Sequence, residues 1–545
     1  MKRGIIAVIA AMAVFAAIMA GCNGRGIPDL NNTPNDEPPV LADNSWETDT
    51  SPHTIKWFVA YDWYAKTWNP GGNTSDAKLL EKTGITLEMS SGDTDKLNAL
   101  IASGSLPDLV TMDITATQRT LLENNSRVLP LDKLFADYAP DVNIPSSMKD
   151  WLRNPDGNWY AIASYYYGPE RVNSEFGGFL VTHNNNFARQ DLLDRINMST
   201  DDLRTKSGFL TALRAVKGLQ YDGMDVVPFT GWWTQNFAAQ FGMDLEDKDG
   251  NLLSMIRQPE WLEALKFANQ MYREGLVTDE EFTQNQAQRD QKVASGRVFA
   301  ASGTMTVQSP KEALYAYDPN ALIVYAGQIQ GGDNGKTPLL EGVASGGWTA
   351  TMVTTNAKNL PRIAQFISYM TQEEATLDAG PAIGADTYDI ADGKMVRKPK
   401  VIEAFEKDYQ AAKSKYFMNV EFFVDWTIIQ KYTSDEPQTI WEAQALVMEK
   451  DSRITVYDSK TFQSISPDGG TDLAALRANL EAYYDTAEKQ IIMAPSEEDC
   501  ERVYYEVIKT MEDMGWAELE RYQNEKYQDA KEKLGVKYAW PRNSN

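Results

Sequence analysis

Between Thr54 and Met112, strand-like and helix-like stretches alternate in strict order, and this alternation constrains the fold of the 545-residue chain more than any other feature. Thr54-Ile55-Lys56-Trp57-Phe58-Val59-Ala60 is a strand pattern, Ala77 to Thr83 a helix closed by Gly84, and Ile85 to Met89 a second strand. Lys96 to Ala102 is a helix ended by Gly104, and Asp108 to Met112 is a third strand. Strand, helix, strand, helix, strand is the order of an α/β layer with a parallel sheet. Farther along, Pro259 to Tyr272 sets Trp261, Leu262, Leu265, Ala268 and Tyr272 on one helical face before the stop at Gly275. Beyond about residue 400 the pattern is mostly helical. There Ser496 is a candidate N-cap, followed by the acidic first turn Glu497-Glu498-Asp499 and the apolar stripe Val503, Tyr504, Val507, Ile508, Met511 and Met514. The expectation is an α/β chain of two lobes with a helical C-terminal part.

The chain opens with Met1-Lys2-Arg3, an uncharged run from Ile5 to Ala20, and Gly21-Cys22. A basic start, a short apolar core and small residues describe a secretory signal. The run is shorter than the ~20 residues a helix needs to cross a bilayer. Ile18-Met19-Ala20-Gly21-Cys22 resembles the bacterial lipobox, with Met19 where Leu is usual. Lipidation of Cys22 would hold the exported protein on the outer face of the bacterial cytoplasmic membrane. The alternative is an ordinary cleaved signal with an incidental Cys. Pro28, Pro34, Pro38, Pro39 and Pro52 lie among polar residues, so 22–53 reads as the lipidated Cys and a disordered spacer.

Loss of residues 1–21 removes Lys2 and Arg3 and takes the formal charge from −25 to −27. Such acidity argues against nucleic acid, which requires a basic patch. Cys500 is the only cysteine besides Cys22, so the body has no intrachain disulfide and must rely on a large core. With only His53 and His183, His-based metal sites and Ser/His triads are not expected. No metal or cofactor is expected either. Asp244-Leu245-Glu246-Asp247-Lys248-Asp249-Gly250 does not meet the EF-hand spacing, and Asp249-Gly250 reads as a hairpin turn.

Several stretches, in one order, resemble the extracellular solute-binding proteins (family 1) of ABC importers, particularly Gram-positive oligosaccharide-binding lipoproteins of the aldouronate type. They are Lys96–Val110, Leu129–Leu134 with Tyr138-Ala139-Pro140, Asn154–Ile162, Glu274–Val277, Lys292–Val298, Gly346-Gly347-Trp348, Tyr388 with Asp392-Gly393-Lys394, and Ser496–Tyr527. Where some relatives carry an Asn/Gly-rich, calcium-binding type of loop, this chain has Gly223–Pro228. The resemblance implies a two-lobed periplasmic-binding-protein-like fold (type II) that closes on a ligand. It implies three hinge crossings, near Ala161–Tyr167, Phe299–Thr304 and Trp348–Thr355. Lobe one would hold 54–163 and 304–348, and lobe two 167–300 and 355–545, with the C-terminal helices on lobe two or across both. The implied partners are an oligosaccharide and the transmembrane permease subunits of an importer, for a monomeric, non-catalytic protein.

A sugar site needs aromatic platforms for apolar C–H faces and carboxylates or amides for hydroxyls. Tyr61-Asp62-Trp63-Tyr64 follows the first strand, where α/β sheets bind ligands. Trp63 and Tyr64 either stack on a sugar or cover a local core, and Trp68 follows on the same loop. Asp113 lies past the third strand, as a hydroxyl acceptor or a helix cap. From Tyr165-Tyr166-Tyr167 at the first hinge, Tyr166 and Tyr167 are candidates. Of Trp232 and Trp233, which point differently, Trp232 is preferred as lobe two's platform. Trp348, between Gly347 and Thr349, is the first residue to mutate. Other readings of the same features are a surface-anchored glycan hydrolase or lyase, and a peptide-binding receptor. No acid pair among the 77 acidic residues stands in a context that marks it as catalytic.

Overall fold

The computed structural model describes residues 46–537 apart from 65, 169–183, 232–233, 304–305, 308–309, 331, 333–334, 342–345, 380–385, 418–419, 424, 434–443, 445–446, 449–455 and 458–459. The strands are β1 (His53–Val59), β2 (Ile85–Ser91), β3 (Leu109–Asp113), β4 (Ile162–Ala163), β5 (Asn186–Arg189), β6 (Gln220–Tyr221), β7 (Met224–Asp225) and β8 (Val227–Thr230). They continue as β9 (Val298–Ser302), β10 (Ile323–Gly327), β11 (Leu340–Glu341), β12 (Thr349–Val353), β13 (Tyr388–Ala391), β14 (Lys394–Arg397) and β15 (Val456–Tyr457). The helices that position the site and the cores are α1 (Thr74–Thr83), α2 (Thr94–Ser103), α3 (Thr117–Asn124), α4 (Thr234–Gln240) and α5 (Pro259–Arg273). With them go α6 (Leu360–Met370), α7 (Asp472–Ile492), α8 (Glu497–Asp513) and α9 (Trp516–Leu534).

The opening alternation folds as expected. Asn73 caps α1 by accepting from the Asp76 N–H, and Asp93 caps α2 by accepting from the Lys96 N–H. Gly84 ends α1 at φ 67°, and a Cβ there would lie 2.0 Å from the Thr50 carbonyl oxygen. β1 pairs in parallel with β2 and β3. The sheet is mixed beyond them, because β12 runs antiparallel to both β3 and β4, giving the order β2-β1-β3-β12-β4. A second sheet has the order β10-β5-β9-β8.

Each sheet has its own core. Trp57, Val59, Leu109 and Met352 of the first sheet are buried with Ile363 and Phe366 of α6 and with Phe422. Trp57 is fully buried, and its indole N–H donates to Thr111 Oγ1 at 2.8 Å. Phe229 of the second sheet is buried with Phe237 of α4 and Phe267 of α5, and Leu480, Tyr484, Ile491 and Val507 of α7 and α8 join the same core. The C-terminal helices are therefore integral to lobe two. They and the turn before α7 also reach lobe one, where Lys533 Nζ donates to the Trp151 carbonyl at 2.6 Å and Gly469 N to Thr120 Oγ1 at 3.3 Å.

The expected lobe boundaries need correction. Residues 298–302 and 323–327 form β9 and β10 within the second sheet, so Phe299–Thr304 is not a crossing and 311–327 belongs with lobe two. Residues 349–370 belong with lobe one. The chain passes between the sheets after β4, between β10 and β12, and between residues 433 and 472. These segments are joined: Tyr166 bridges Gly346, β11 pairs in parallel with β15, and Lys460 Nζ donates to the Tyr167 carbonyl at 3.0 Å. A strand inside a sheet and an extended crossing carry the same local pattern, so periodicity does not separate them. Residues 46–53, expected as part of the spacer, are tied to lobe one. Trp46 is buried against Tyr369, with ring centroids 4.8 Å apart, and the buried Arg362 donates to the Asp49 and Ser51 carbonyls. Residues 220–225 form the β6–β7 hairpin, and Asp249-Gly250 lies in a turn closed by the Glu246–Leu252 bridge.

Candidate functional site

The ends of three strands meet at one edge of the first sheet. β1 ends at Val59 and β3 at Asp113, and β12 starts at Thr349 opposite Asp113. The loop after β1 turns on Tyr64 N–H donating to the Tyr61 carbonyl at 3.1 Å, which keeps Tyr61, Trp63 and Tyr64 together. Trp348 is held from both sides, its N–H donating to the Ser164 carbonyl at 2.9 Å and its carbonyl accepting from Ile114 N–H at 3.0 Å. Gly347 before it has φ 104°, and a Cβ there would stand 2.7 Å from that of Ala163. Only glycine lets the chain pass so close to β4.

An aromatic stack follows from these constraints. The Trp63 and Trp348 rings are nearly parallel, 13° apart in plane with centroids at 6.0 Å. Tyr61 stacks on Trp348 at 5.4 Å and 29° and contacts Trp63 at 5.2 Å. Tyr165 approaches Trp348 edge-on at 5.9 Å, and Phe422 supports it at 6.2 Å. Trp63 is 57% exposed, an unusual position for so large a ring in an ordered stack.

Three acids border the stack: the exposed Asp62, and Asp113 and Glu421, which bond to its tyrosines. Asp113 Oδ1 accepts from the Thr115 N–H at 2.8 Å and hydroxyl at 2.6 Å, while among the described residues Oδ2 meets only the Tyr61 hydroxyl, at 3.4 Å. Burial, with the Asp113 charge second, pushes the Tyr61 phenol well above its ordinary pKa. Glu421 Oε2 accepts from the Tyr165 hydroxyl at 3.4 Å, and burial raises the Glu421 pKa against the opposing pull of Lys66, Tyr165 and Lys413. Tyr165 has φ 54°, a left-handed conformation rare outside glycine and common at functional sites.

The predicted residues fall into three groups. Asp62, Trp63, Asp113 and Trp348 come together at the strand ends, Asp62 and Trp63 exposed and Asp113 and Trp348 half-buried. Tyr64 is 2% exposed and packs on Phe422 at 4.9 Å, and Tyr166 and Tyr167 are buried at the hinge. Tyr165 is thus the ring of its triplet that reaches the stack, where Tyr166 and Tyr167 were expected. Tyr165 has a positive φ, and Tyr166 and Tyr167 do not. Trp68 is half-buried against the first core. Trp232, Trp233, Cys22 and His183 lie outside the described residues.

Glu421 and Phe422 were missed because nothing local marks them and some 360 residues separate them from Tyr61. Lobe two's matching edge, at the ends of β8, β9 and β10, carries buried amides. Asn186 Nδ2 donates to Gln240 Oε1 at 2.8 Å, and Gln328 Nε2 to Asn185 Oδ1 at 2.9 Å. The Asn184-Asn185-Asn186 run was the available sign of this edge.

The family model described as bacterial extracellular solute-binding protein matches residues 72–377. A lipoprotein of Bacillus subtilis strain 168, LipO, is 21% identical over 488 residues, 85% of this chain and 90% of that protein. Among solved structures, the alginate-binding protein AlgQ2 superposes with a TM-score of 0.66 at 19% identity, over 89% of this chain and 99% of that one. The substrate-binding protein FusA of S. pneumoniae, solved with kestose, gives 0.66 at 16% identity over 88% and 99%. The N-glycan transport solute-binding protein of Streptococcus pneumoniae gives 0.56 at 14% over 88% and 99%. At these identities the structural likeness speaks for the fold.

Proposed function

The chain belongs to the bacterial extracellular solute-binding proteins, and from that premise we propose that it is a lipid-anchored receptor that captures an oligosaccharide between its lobes and delivers it to the permease of an ABC importer. The observation that carries the reading is the Tyr61–Trp63–Trp348 stack with Asp113 at its border, at the strand ends of lobe one. Flat rings accept the C–H faces of a sugar, and acceptor-only carboxylates take its hydroxyl protons. The relatives named for alginate, kestose and N-glycan support the ligand class, and the B. subtilis lipoprotein supports the anchor.

In this reading Asp62, Trp63, Asp113 and Trp348 contact ligand from lobe one, and Trp232 from lobe two. Tyr64, Tyr166 and Tyr167 hold the platform and the hinge in place. Ligand drives closure only to the extent that it binds the closed state better than the open one. The joined crossings absorb the rotation. No chemical step is involved, and Cys22 holds the receptor near its permease. Purified residues 46–545 are to be screened by thermal shift against oligosaccharides and peptides. A glycan that raises Tm is expected. Stabilisation by peptides alone, or breakdown of the bound glycan over hours, would replace this reading with one of its rivals.

A further inference from the structure

We infer that the lobe-one platform selects uncharged glycans and rejects uronate-bearing ones; this rests on the oligosaccharide-receptor reading above. Three acids border the aromatic stack. Asp62 is exposed between Tyr61 and Trp63, Asp113 is half-buried behind Tyr61, and Glu421 lies behind Tyr165.

The geometry of their oxygens gives the sign of the selection. Asp113 Oδ1 is saturated by Thr115, but among the described residues Oδ2 has one contact of 3.4 Å, longer than the ~2.5–3.0 Å of a good hydroxyl hydrogen bond. Glu421 Oε2 is bonded to Tyr165 at the same long distance. Both oxygens therefore have acceptor capacity left, beside the aromatic stack. A hydroxyl satisfies them by donating. A uronate carboxylate has no proton to donate at neutral pH and brings a like charge.

The cations do not reverse this. Lys66 and Lys413 act on Glu421, and Lys66 Nζ stands 5.7 Å over the ring of the buried Tyr64; three acids against these two cations still leave the platform net negative. Asp62 and Asp113 remain at the platform. The chain's net charge of −25 adds a long-range field that disfavours approach of anions.

The test pairs uncharged oligosaccharides with counterparts of the same backbone bearing a uronic acid, for example xylo-oligosaccharides with and without a glucuronosyl branch, together with alginate oligomers. Binding is read by tryptophan fluorescence and calorimetry at low and at physiological salt. At least one uncharged glycan is expected to bind, with its uronate counterpart weaker by roughly tenfold or more at low salt. The gap should narrow as salt screens the repulsion, and narrow again in Asp113→Asn. Equal or tighter binding of a uronate glycan overturns the inference, as does a uronate complex that Asp113→Asn weakens. If folded protein binds neither class, the oligosaccharide reading itself fails and takes the inference with it. Should Asp113→Asn not fold, the wild-type ratio and its salt dependence decide alone.

Discussion

Trp63 is mostly exposed while Trp348 is half-buried among Tyr61, Tyr165 and Phe422, so these two stacked rings separate binding from stability. Trp63→Ala is expected to leave unfolding free energy within about 0.5 kcal/mol of wild type while weakening glycan binding at least roughly tenfold. Trp348→Ala should weaken binding at least as much and also cost about 2 kcal/mol of stability, because it empties a packed position. Denaturant titration and calorimetry on the two variants read both quantities. Glu421 yields a pH signature. Its pKa is raised by burial, so the folded chain binds that proton more tightly than the unfolded one. Its contribution to stability is fully present below the ordinary carboxylate pKa and is lost as pH rises through the raised value. Glu421→Gln removes the buried charge, so its Tm is expected to exceed wild type near neutral pH and to converge with it toward about pH 4. A Tm below wild type at neutral pH would mean that Lys66, Lys413 and Tyr165 outweigh the burial.

Among the elements, α1 and α2 follow local rules closely: Asn73 and Asp93 start them, and Gly84 and Gly104 stop them. The stop at Gly84 has a tertiary duty as well, since the Thr50 carbonyl lies where a Cβ would be. Thr50 belongs to the segment that Arg362 ties down through Asp49 and Ser51. Gly84→Ala is therefore expected to cost well over 2 kcal/mol, combining left-handed strain with a backbone clash. Gly157→Ala, also at positive φ (84°) but with open space around it, should cost only about 1 kcal/mol. Urea unfolding of both variants checks the difference, and equal losses would argue against the contact with Thr50. The short strands β4, β11 and β15 are of another kind. Two residues carry no usable periodicity, and only pairing partners far along the chain make them strands.

At the scale of the molecule, the two sheets are linked by three crossings that bond to one another through Tyr166–Gly346, β11–β15 and Lys460–Tyr167. A hinge assembled from three segments restricts the relative motion of the lobes more than one linker would. The C-terminal helices are structural as well as terminal, because Leu480, Tyr484, Ile491 and Val507 complete the core around Phe267. A chain ended after Tyr457 is expected to be insoluble or to bind a hydrophobic dye such as ANS, even though both main sheets are retained. A soluble, cooperatively unfolding fragment would show that α7 to α9 are dispensable to lobe two.

What local sequence determined by itself was the class of the fold and the strand ends at which the site is proposed. Strand and helix periods, caps and glycine stops are short-range physics, and they located β1 to β3 and placed Tyr61, Trp63 and Asp113 past strand ends. The ordered motifs also led to the family. Tertiary structure decided which lobe each later strand joins, since β9 reads locally as a crossing and β10 as part of lobe one, and both acquire their identity only by pairing with β8 and β5. It also decided which tyrosine of Tyr165-Tyr166-Tyr167 meets Trp348, and it brought in Glu421 and Phe422 from the far end of the chain. Such contacts depend on where the backbone returns in space, which no local period records.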